Sequence, residues 1–436
     1  MKYNTIKKKF IFFFKKNKHK VIKNSSIINK DKSKLLFVNS GINKLKNLFI
    51  NNTSYKFKKI TNIQKCIRIS GKDNDLKLIG KDNYHHTMFE MLGNWSIGEY
   101  NIKKAIKYAW ILITKVYKIP KNKIIITVFK GNNKLNLKKD IITYNYWKKF
   151  IPKKRIFFFD FKNNFWKIEN FNLCGPCTEI YIYIKNKKIK NINKNFIIKN
   201  KKYFIELWNI VNIKYLIKEN KIIKNNNKFS KNYIDTGMGL ERLCMVLQNK
   251  TSTYDTDIFK DIIKSIERIL KIKYNTKKKN NNSFLIKIIA DHIRTIFVIL
   301  YDKILPSNNK YGYVLRKLIR RCLIYVYKYL NIKSPFLYKL IISVYKTFYK
   351  KINQKKLEYI KDNLKTEEFF YFNSIKKNIK LMILFFRKNN IKIINKKIIL
   401  YIYSTYGINY FIIKKYAILN KIKIISFKLI YPEIEL

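Results

Sequence analysis

A chain of 436 residues is long enough for about two or three domains with cores of their own. Its 95 lysines and arginines against 26 aspartates and glutamates leave a net charge of +69, which suits a polyanionic partner. The support is weak, because abundant Lys, Asn, Ile, Phe and Tyr beside only 11 Gly and 6 Pro is also what a drift towards A- and T-rich codons produces. Five cysteines and four histidines exclude a disulfide framework in a chain of this size. No run reaches the roughly 18 apolar residues of a membrane-spanning helix, and the expectation is a soluble, cytoplasmic protein.

In chain order, the first 60 residues predict a helix over about 5–18, with Ile6 and the Phe10–Phe14 run as its apolar stripe. That run is too short for a signal sequence, and Lys15 and Lys16 follow at once. Short strands around Val21 and Leu35–Val38, a turn at Asn39-Ser40-Gly41 and a helix over Ile42–Phe49 are expected next. Residues 64–100 read as a strand, a long polar loop and a second strand. This hairpin presents Arg68 and Lys72 on one side and Phe89 on the other, which suits a nucleotide: guanidinium on phosphate, ring on base. For Phe89 alone, core packing is the favoured explanation of the ring, and it is Arg68 that turns the reading towards a nucleotide. Adjacent His85 and His86 point to opposite faces of a strand, which favours hydrogen bonding over a shared metal.

A helix over 101–118 and a strand over 123–129 follow, then strand and loop around 150–172 containing Asn164-Phe165-Trp166. Cys174-Gly175-Pro176-Cys177 has the spacing of a redox motif, but such a site opens a helix, and here the β-rich run Ile180–Ile184 follows directly. With no second Cys or His pair at ligand spacing, zinc is not expected. Lys- and Asn-rich stretches at 185–202 and 219–232 read as loops. Between them Phe204–Asn212 is a buried strand whose polar Glu206 and Asn209 need partners, a bound substrate being one.

Ile234–Arg242 reads as a strand end, a turn with two glycines and a helix start. Leu240, Leu243, Cys244 and Leu247 form the apolar stripe of that helix, and Arg242 lies on its other side. Gly237 and Gly239 let the backbone approach something closely, with Asp235 and Arg242 beside the opening. The plain alternative is an ordinary strand–turn–helix with a solvated arginine. Beyond residue 250 the pattern turns mostly helical, over 255–272, 284–304, 312–331, 336–353, 355–370 and further, with Thr276–Asn282 as a loop. Arg316, Lys317, Arg320 and Arg321 recur at helical spacing and predict a basic face, either solvated or in contact with phosphate.

Together these blocks resemble the alanyl-tRNA synthetase family of class II aminoacyl-tRNA synthetases. Arg68 and Lys72 with His85–Asn94 are similar to class II motif 2, and Asp235–Arg242 to motif 3. Asn164–Trp166, Cys174–Ile180, Glu206–Asn209, Thr253–Asp257, Ala290–Arg294 and Pro306–Arg321 follow in the family's order along almost the whole chain. The resemblance implies an α+β fold: a class II antiparallel sheet flanked by helices in a catalytic domain over 1–248, then an all-helical tRNA-recognition domain over 249–436. It implies that alanine and ATP, with Mg2+, give alanyl-adenylate, and that alanine then passes to the 3′ end of tRNA(Ala). By carry-over Arg68 holds the α-phosphate and the alanine carboxylate region and Arg242 the γ-phosphate end and adenine face, while Phe89 packs on adenine and Lys72 assists. Asp235 takes the alanine ammonium beside Gly237, Asn209 and Trp166 close a small pocket, and Glu179 organises Mg2+. Asn308, Arg316, Arg320, Arg321 and Ser404 are the expected contacts to the tRNA acceptor stem.

The sequence departs from the family in places. Glu169-Asn170-Phe171-Asn172-Leu173 stands where the family has a glycine-rich run, and Tyr403-Ser404-Thr405-Tyr406-Gly407 lacks the acidic residue of the family's Tyr-Asp-Thr-Tyr-Gly. No His follows His292 and no Cys follows Cys322, so the zinc ligands of the family's editing domain are missing from these 436 residues. The corresponding expectations are no self-editing and a monomer. An amino-acid-activating ligase with a non-tRNA acceptor, or a non-catalytic tRNA-binding remnant, are the alternative readings. With Ser404 replacing a carboxylate, discrimination for a G·U pair in the acceptor stem is expected to relax. Charging wild-type and G·C-substituted tRNA(Ala) side by side measures this, and a steep preference for G·U would refute it.

Overall fold

Residues 1–29, 35–45, 57–69, 74–168, 172–185, 192–219, 221–224, 233–275 and 281–425 are described by a computed structural model. Two units emerge, Met1–Asp261 and Ile262–Leu436.

In the first unit, runs rich in Ile, Phe, Tyr and Trp suit a pleated, half-buried surface and pair into an 11-stranded sheet. Its strands are β1 (Lys20–Val21), β2 (Lys59–Ile67), β3 (Met88–Ile97), β4 (Ile124–Phe129), β5 (Ile156–Phe159), β6 (Phe165–Ile168), β7 (Leu173–Tyr183), β8 (Phe204–Ile213), β9 (Tyr215–Lys218), β10 (Lys221–Lys224) and β11 (Tyr233–Gly239). The main path runs β1-β2-β3-β11-β8-β7-β4-β5. From β2 to β4 every pairing is antiparallel, and one parallel strand closes each edge, β1 on β2 and β5 on β4. The expected antiparallel sheet is therefore the centre of a mixed one. Strands β6 and β9 pair with the N-terminal part of β7.

Helix α1 (Tyr3–Lys16) spaces Ile6, Phe10 and Phe14 four apart and buries all three against the back of the sheet, where the Phe10 ring lies 6.4 Å from that of Trp208. Helix α2 (Ile102–Ile111) covers the same face. Helix α3 (Ile141–Trp147) was not foreseen. Its signal was the lone capping residue Asp140, whose carboxylate accepts from the Thr143 backbone N–H at 3.1 Å. Helix α4 (Leu240–Leu247) starts directly at the end of β11.

Several local expectations change. Around Leu35–Val38 there is an isolated bridge, Ile28 to Phe37, rather than a strand. Gly41–Leu45 is a 3-10 turn, and the rest of the expected helix over 42–49 lies outside the described residues. The two presumed loops hold structure: Lys194–Lys199 is a short helix capped by Asn193, and β10 folds back on β9. Lysine- and asparagine-rich composition hid both, because the side chains that would mark a buried face are few there.

The second unit is built from α5 (Lys260–Leu270), α6 (Asn281–Tyr301), α7 (Lys310–Leu330), α8 (Ile341–Phe348), α9 (Gln354–Lys388), α10 (Lys396–Tyr406) and α11 (Tyr410–Leu419), with one small parallel pair, Ile393–Ile394 beside Lys423–Ile424. Helix α6 is buried almost all round, including Asp291, His292 and Arg294. Helix α9 runs 35 residues, well past the expected 355–370. Its buried Glu368 accepts from three backbone N–H groups, of Phe336, Leu337 and Tyr338 at 2.8, 2.9 and 3.1 Å, and so holds the turn before α8.

Cys174 and Cys177 sit inside β7, and the glycine between them has a packing reason. A Cβ on Gly175 would come within 1.9 Å of the Asn212 carbonyl oxygen, a backbone atom that cannot swing aside. Gly175→Ala is expected to lower stability by about 1–3 kcal/mol or more. Gly239→Ala, whose Cβ would meet only the Arg242 side chain at 3.7 Å, should change it far less. Denaturant titration of both variants tests the contrast, and equal effects would refute it.

Candidate functional site

Period-two alternation gathers the polar residues of the sheet onto its front face. Phe89 and Met91 of β3, Asp235 and Gly237 of β11, and Asn209 and Glu179 of β8 and β7 all open into one pocket of about 370 Å³. Strand β11 is paired on both sides: Asp235 stands opposite Trp95 and Val211, and Gly237 opposite Gly93 and Asn209. The Trp95 indole N–H donates to Asp235 Oδ1 at 2.7 Å. A Cβ at Gly237 would lie 2.8 Å from the Met91 sulfur, so this glycine is what lets Met91 lie across the strand as the pocket floor. Burial pushes the Asp235 carboxyl up to about 7, against the pull of the indole hydrogen bond.

Arg68 follows the end of β2. Its Nε donates to the Asn39 carbonyl at 3.2 Å, and its guanidinium carbon is 5.0 Å from the Phe89 ring centroid. The two were expected on opposite sides of the hairpin. They stack because Cys66 pairs with Phe89, and Arg68 is two residues on from Cys66, hence on the same face. Lys72 lies outside the described residues.

Arg242, in the first turn of α4, is not a solvated arginine. Its Nη1 donates to the Glu206 carbonyl at 2.9 Å and lies 3.4 Å from Glu206 Oε2, and its guanidinium sits 5.2 Å from the Tyr84 ring centroid. Glu179 Oε2 accepts from Tyr181 at 2.9 Å and Thr127 at 3.3 Å, and its Oε1 from Asn209 Nδ2 at 3.5 Å. A register shift in β7 between Ile180 and Tyr181 accompanies this contact. Burial, then the charge of Glu206, push the Glu179 carboxyl well above the carboxylate range. Asn209 Oδ1 is buried and has no hydrogen-bond partner. Trp166 of β6, half-buried, packs on the apolar cluster of Trp95, Cys177 and Val211.

The two histidines diverge as expected, although from a loop: His85 Nδ1 pairs with Asp82, while His86 Nε2 meets Thr253 Oγ1 at 2.8 Å. Burial raises the Cys174 thiol to about 12 and that of Cys177 well above its usual value, the reverse of an activated redox pair. Tyr84, Tyr181 and Met91 belong to the pocket and were not singled out in the sequence. Alternation from Glu179 could have found Tyr181, and nothing local marks Tyr84.

In the second unit, exposed Asn308 accepts from Arg316 Nη1, and Arg316 is held by Glu367 through bonds of 2.8 and 3.2 Å. Arg320 is half-exposed, 5.9 Å from the Tyr371 ring centroid, and Ser404 is exposed. Arg321, by contrast, is buried. A step of one residue turns it about 100° from Arg320, onto the packed side of α7, so the expected basic face is narrower than the spacing suggested.

The family model described as tRNA synthetases class II (A) matches residues 5–427. An alanine–tRNA ligase of Cytophaga hutchinsonii is 41% identical over 338 residues, 77% of this chain and 38% of that protein. Those of Christiangramia forsetii and Flavobacterium psychrophilum are 37% and 39% identical, covering 93% and 77% of this chain and 47% and 39% of theirs. The chain thus spans less than half the length of these curated relatives.

A carboxyl held at about 7 has a consequence for stability. Between about pH 4, where an unfolded aspartate releases its proton, and pH 7, the folded chain binds a proton that the unfolded chain has lost, so this group makes stability fall as pH rises. Asp235→Asn is expected to remove that fall. The variant should gain on the wild type by a few kcal/mol from pH 4 to 7 and hold level above that. Denaturant unfolding across this range reads it, and a pH-independent difference would refute it.

Proposed function

Because the chain belongs to the class II (A) tRNA synthetase family, we propose that it activates alanine with ATP and passes the alanyl group to the 3′ end of a tRNA. The observation that carries this reading is the pairing of one buried, ring-anchored carboxylate with two arginines, Arg68 and Arg242, around a single pocket. Asp235 receives the alanine ammonium, whose positive charge draws the carboxyl into its ionised form. Trp166 and Val211 close the methyl pocket, Gly237 and Met91 set its floor, and Asn209 orients the substrate above them.

On the ATP side, Phe89 stacks on adenine, Arg68 binds the α-phosphate and Arg242 the γ-phosphate end, with Lys72 assisting. An alanine carboxylate oxygen attacks the α-phosphorus, and the bond to the bridging oxygen of pyrophosphate breaks. The terminal ribose hydroxyl of the tRNA then attacks the alanyl carbonyl, and AMP leaves. Neither step forms a bond to the protein, so its work is orientation and stabilisation of charge at the phosphorus. Glu179, Glu206 and the unpartnered Oδ1 of Asn209 are oxygen donors of the kind Mg2+ takes. Bound there, the ion would offset charge on the leaving pyrophosphate. Residues 249–436 recognise the acceptor stem through Asn308, Arg316, Arg320 and Ser404.

Alanine-dependent exchange of pyrophosphate into ATP tests the first half. Arg68→Ala and Arg242→Ala should each lose at least about a hundredfold in rate, the scale of one charge-stabilising contact. Asp235→Asn should raise the alanine KM far more than the ATP KM. Near-normal exchange in either arginine variant would overturn the assignment. Exchange without tRNA-dependent AMP release would favour a different acceptor.

A further inference from the structure

On the solvent side of α9, apolar and basic residues share a stripe with no acidic member. Phe369 and Phe370 are 56% and 61% exposed, their rings 6.4 Å apart and inclined at 59°. Phe370, Asn373, Lys377, Leu381 and Leu384 recur three and four apart, all exposed, opposite the buried Leu364, Phe372 and Met382. Lys376 and Lys380 flank them. From Phe369 to Pro432 the sequence has 13 lysines and arginines and no aspartate or glutamate. A drift towards A- and T-rich codons raises Lys and Phe alike but does not say where they fall, and here two adjacent phenylalanines left more than half in water stand one to three turns from three exposed lysines.

The neighbourhood adds to this. One turn before the phenylalanines, Glu367 holds Arg316, and Tyr371 lies against Arg320. One residue beyond Lys377, Asn378 Nδ2 donates to the Tyr406 carbonyl at 2.9 Å, which ties α9 to the helix carrying exposed Ser404. The stripe therefore lies between the residues proposed above as acceptor-stem contacts. Exposed rings beside mobile cations, without an anion to compete, is the chemistry that holds unpaired nucleotides: rings stack on bases and lysines follow the phosphates.

We propose that this face of α9 binds an unpaired segment of RNA, with Phe369 and Phe370 as stacking platforms and Lys376, Lys377 and Lys380 as phosphate contacts. It goes beyond the acceptor-stem contacts, and its test does not depend on aminoacylation. Fluorescence anisotropy of the full chain with a labelled oligouridylate, over a series of KCl concentrations, measures it. Wild type should bind more weakly as salt rises. Phe369→Ala/Phe370→Ala should weaken binding about tenfold with the salt slope unchanged, as expected for stacking. Lys376→Gln/Lys377→Gln/Lys380→Gln should instead flatten the slope by about two.

Both variants should keep alanine-dependent pyrophosphate exchange, which confirms that they fold. Wild-type affinity and slope in both would overturn the proposal. So would sedimentation showing that the phenylalanine variant only disperses a self-associated form while oligouridylate binding stays the same. Loss of exchange activity in the wild type, with oligouridylate binding intact, would instead fault the proposed function and leave this surface standing.

Discussion

Everything in the pocket depends on β11 being an interior strand that carries a carboxylate. With β3 on one side and β8 on the other, its backbone is fully paired, and Asp235 cannot turn towards water without breaking the centre of the sheet. Its side chain is left with one neutral donor, the Trp95 indole. That is too little to hold an ionised group in such surroundings, and the carboxyl rises to about 7. A buried acid so poorly compensated is a standing demand for a cation, and a ligand ammonium is the simplest answer. The glycine pair beside it, Gly237 opposite Gly93, serves the same end: the first leaves room for Met91, the second for the Trp95 ring whose N–H holds the carboxylate.

The rest of the pocket is organised by charge pairs rather than shape alone. Arg242 is anchored on Glu206 and Tyr84, and Arg68 on Asn39 and Phe89. Each guanidinium is thus held in place before any anion arrives, so little reorganisation is needed on binding. Glu179 and Glu206 work in the opposite sense. Burial, reinforced by the charge of Glu206, keeps the Glu179 carboxyl well above its ordinary range, and cations brought in by substrate would relieve it.

How much of this was legible differs by element. The central strands were readable because alternation and β-branched runs survive a biased composition: β3, β8 and β11 lie where the pattern put them, and β7 contains most of the expected run Ile180–Ile184 but begins earlier, at Leu173. Arg68, Asp235 and Arg242 could be picked out because glycine and carboxylate are rare here and so mark positions that need them. What could not be read was pairing between distant segments. Nothing in Tyr84 says that it will meet Arg242, 158 residues later in the chain (242 − 84), nor does local sequence say that Arg68 will stack on Phe89. Helical spacing overstated the basic face of α7 for a related reason: it gives the angle of each arginine but not which side is packed, and Arg321 fell on the packed side.

The charge imbalance itself looks different once burial is known. The chain has only 26 acidic residues, yet Glu90, Asp140, Glu179, Asp235, Glu241, Asp291, Glu367 and Glu368 are all less than a tenth exposed. Acids are ordinarily surface residues, rarely buried unless paired. Those that remain inside have identifiable work: Glu368 receives three backbone N–H groups, Glu241 accepts from the Glu90 backbone, and Glu367 fixes Arg316. A drift that replaces acids by lysine and asparagine is tolerated where water screens the loss and resisted where a carboxylate satisfies the backbone or an arginine. The net charge of +69 is in this sense a property of the surface, while among the described residues the buried charged groups are mostly carboxylates, with Arg294 and Arg321 the buried arginines. For that reason an internal carboxylate in this chain is a far stronger pointer to a role than any of its lysines.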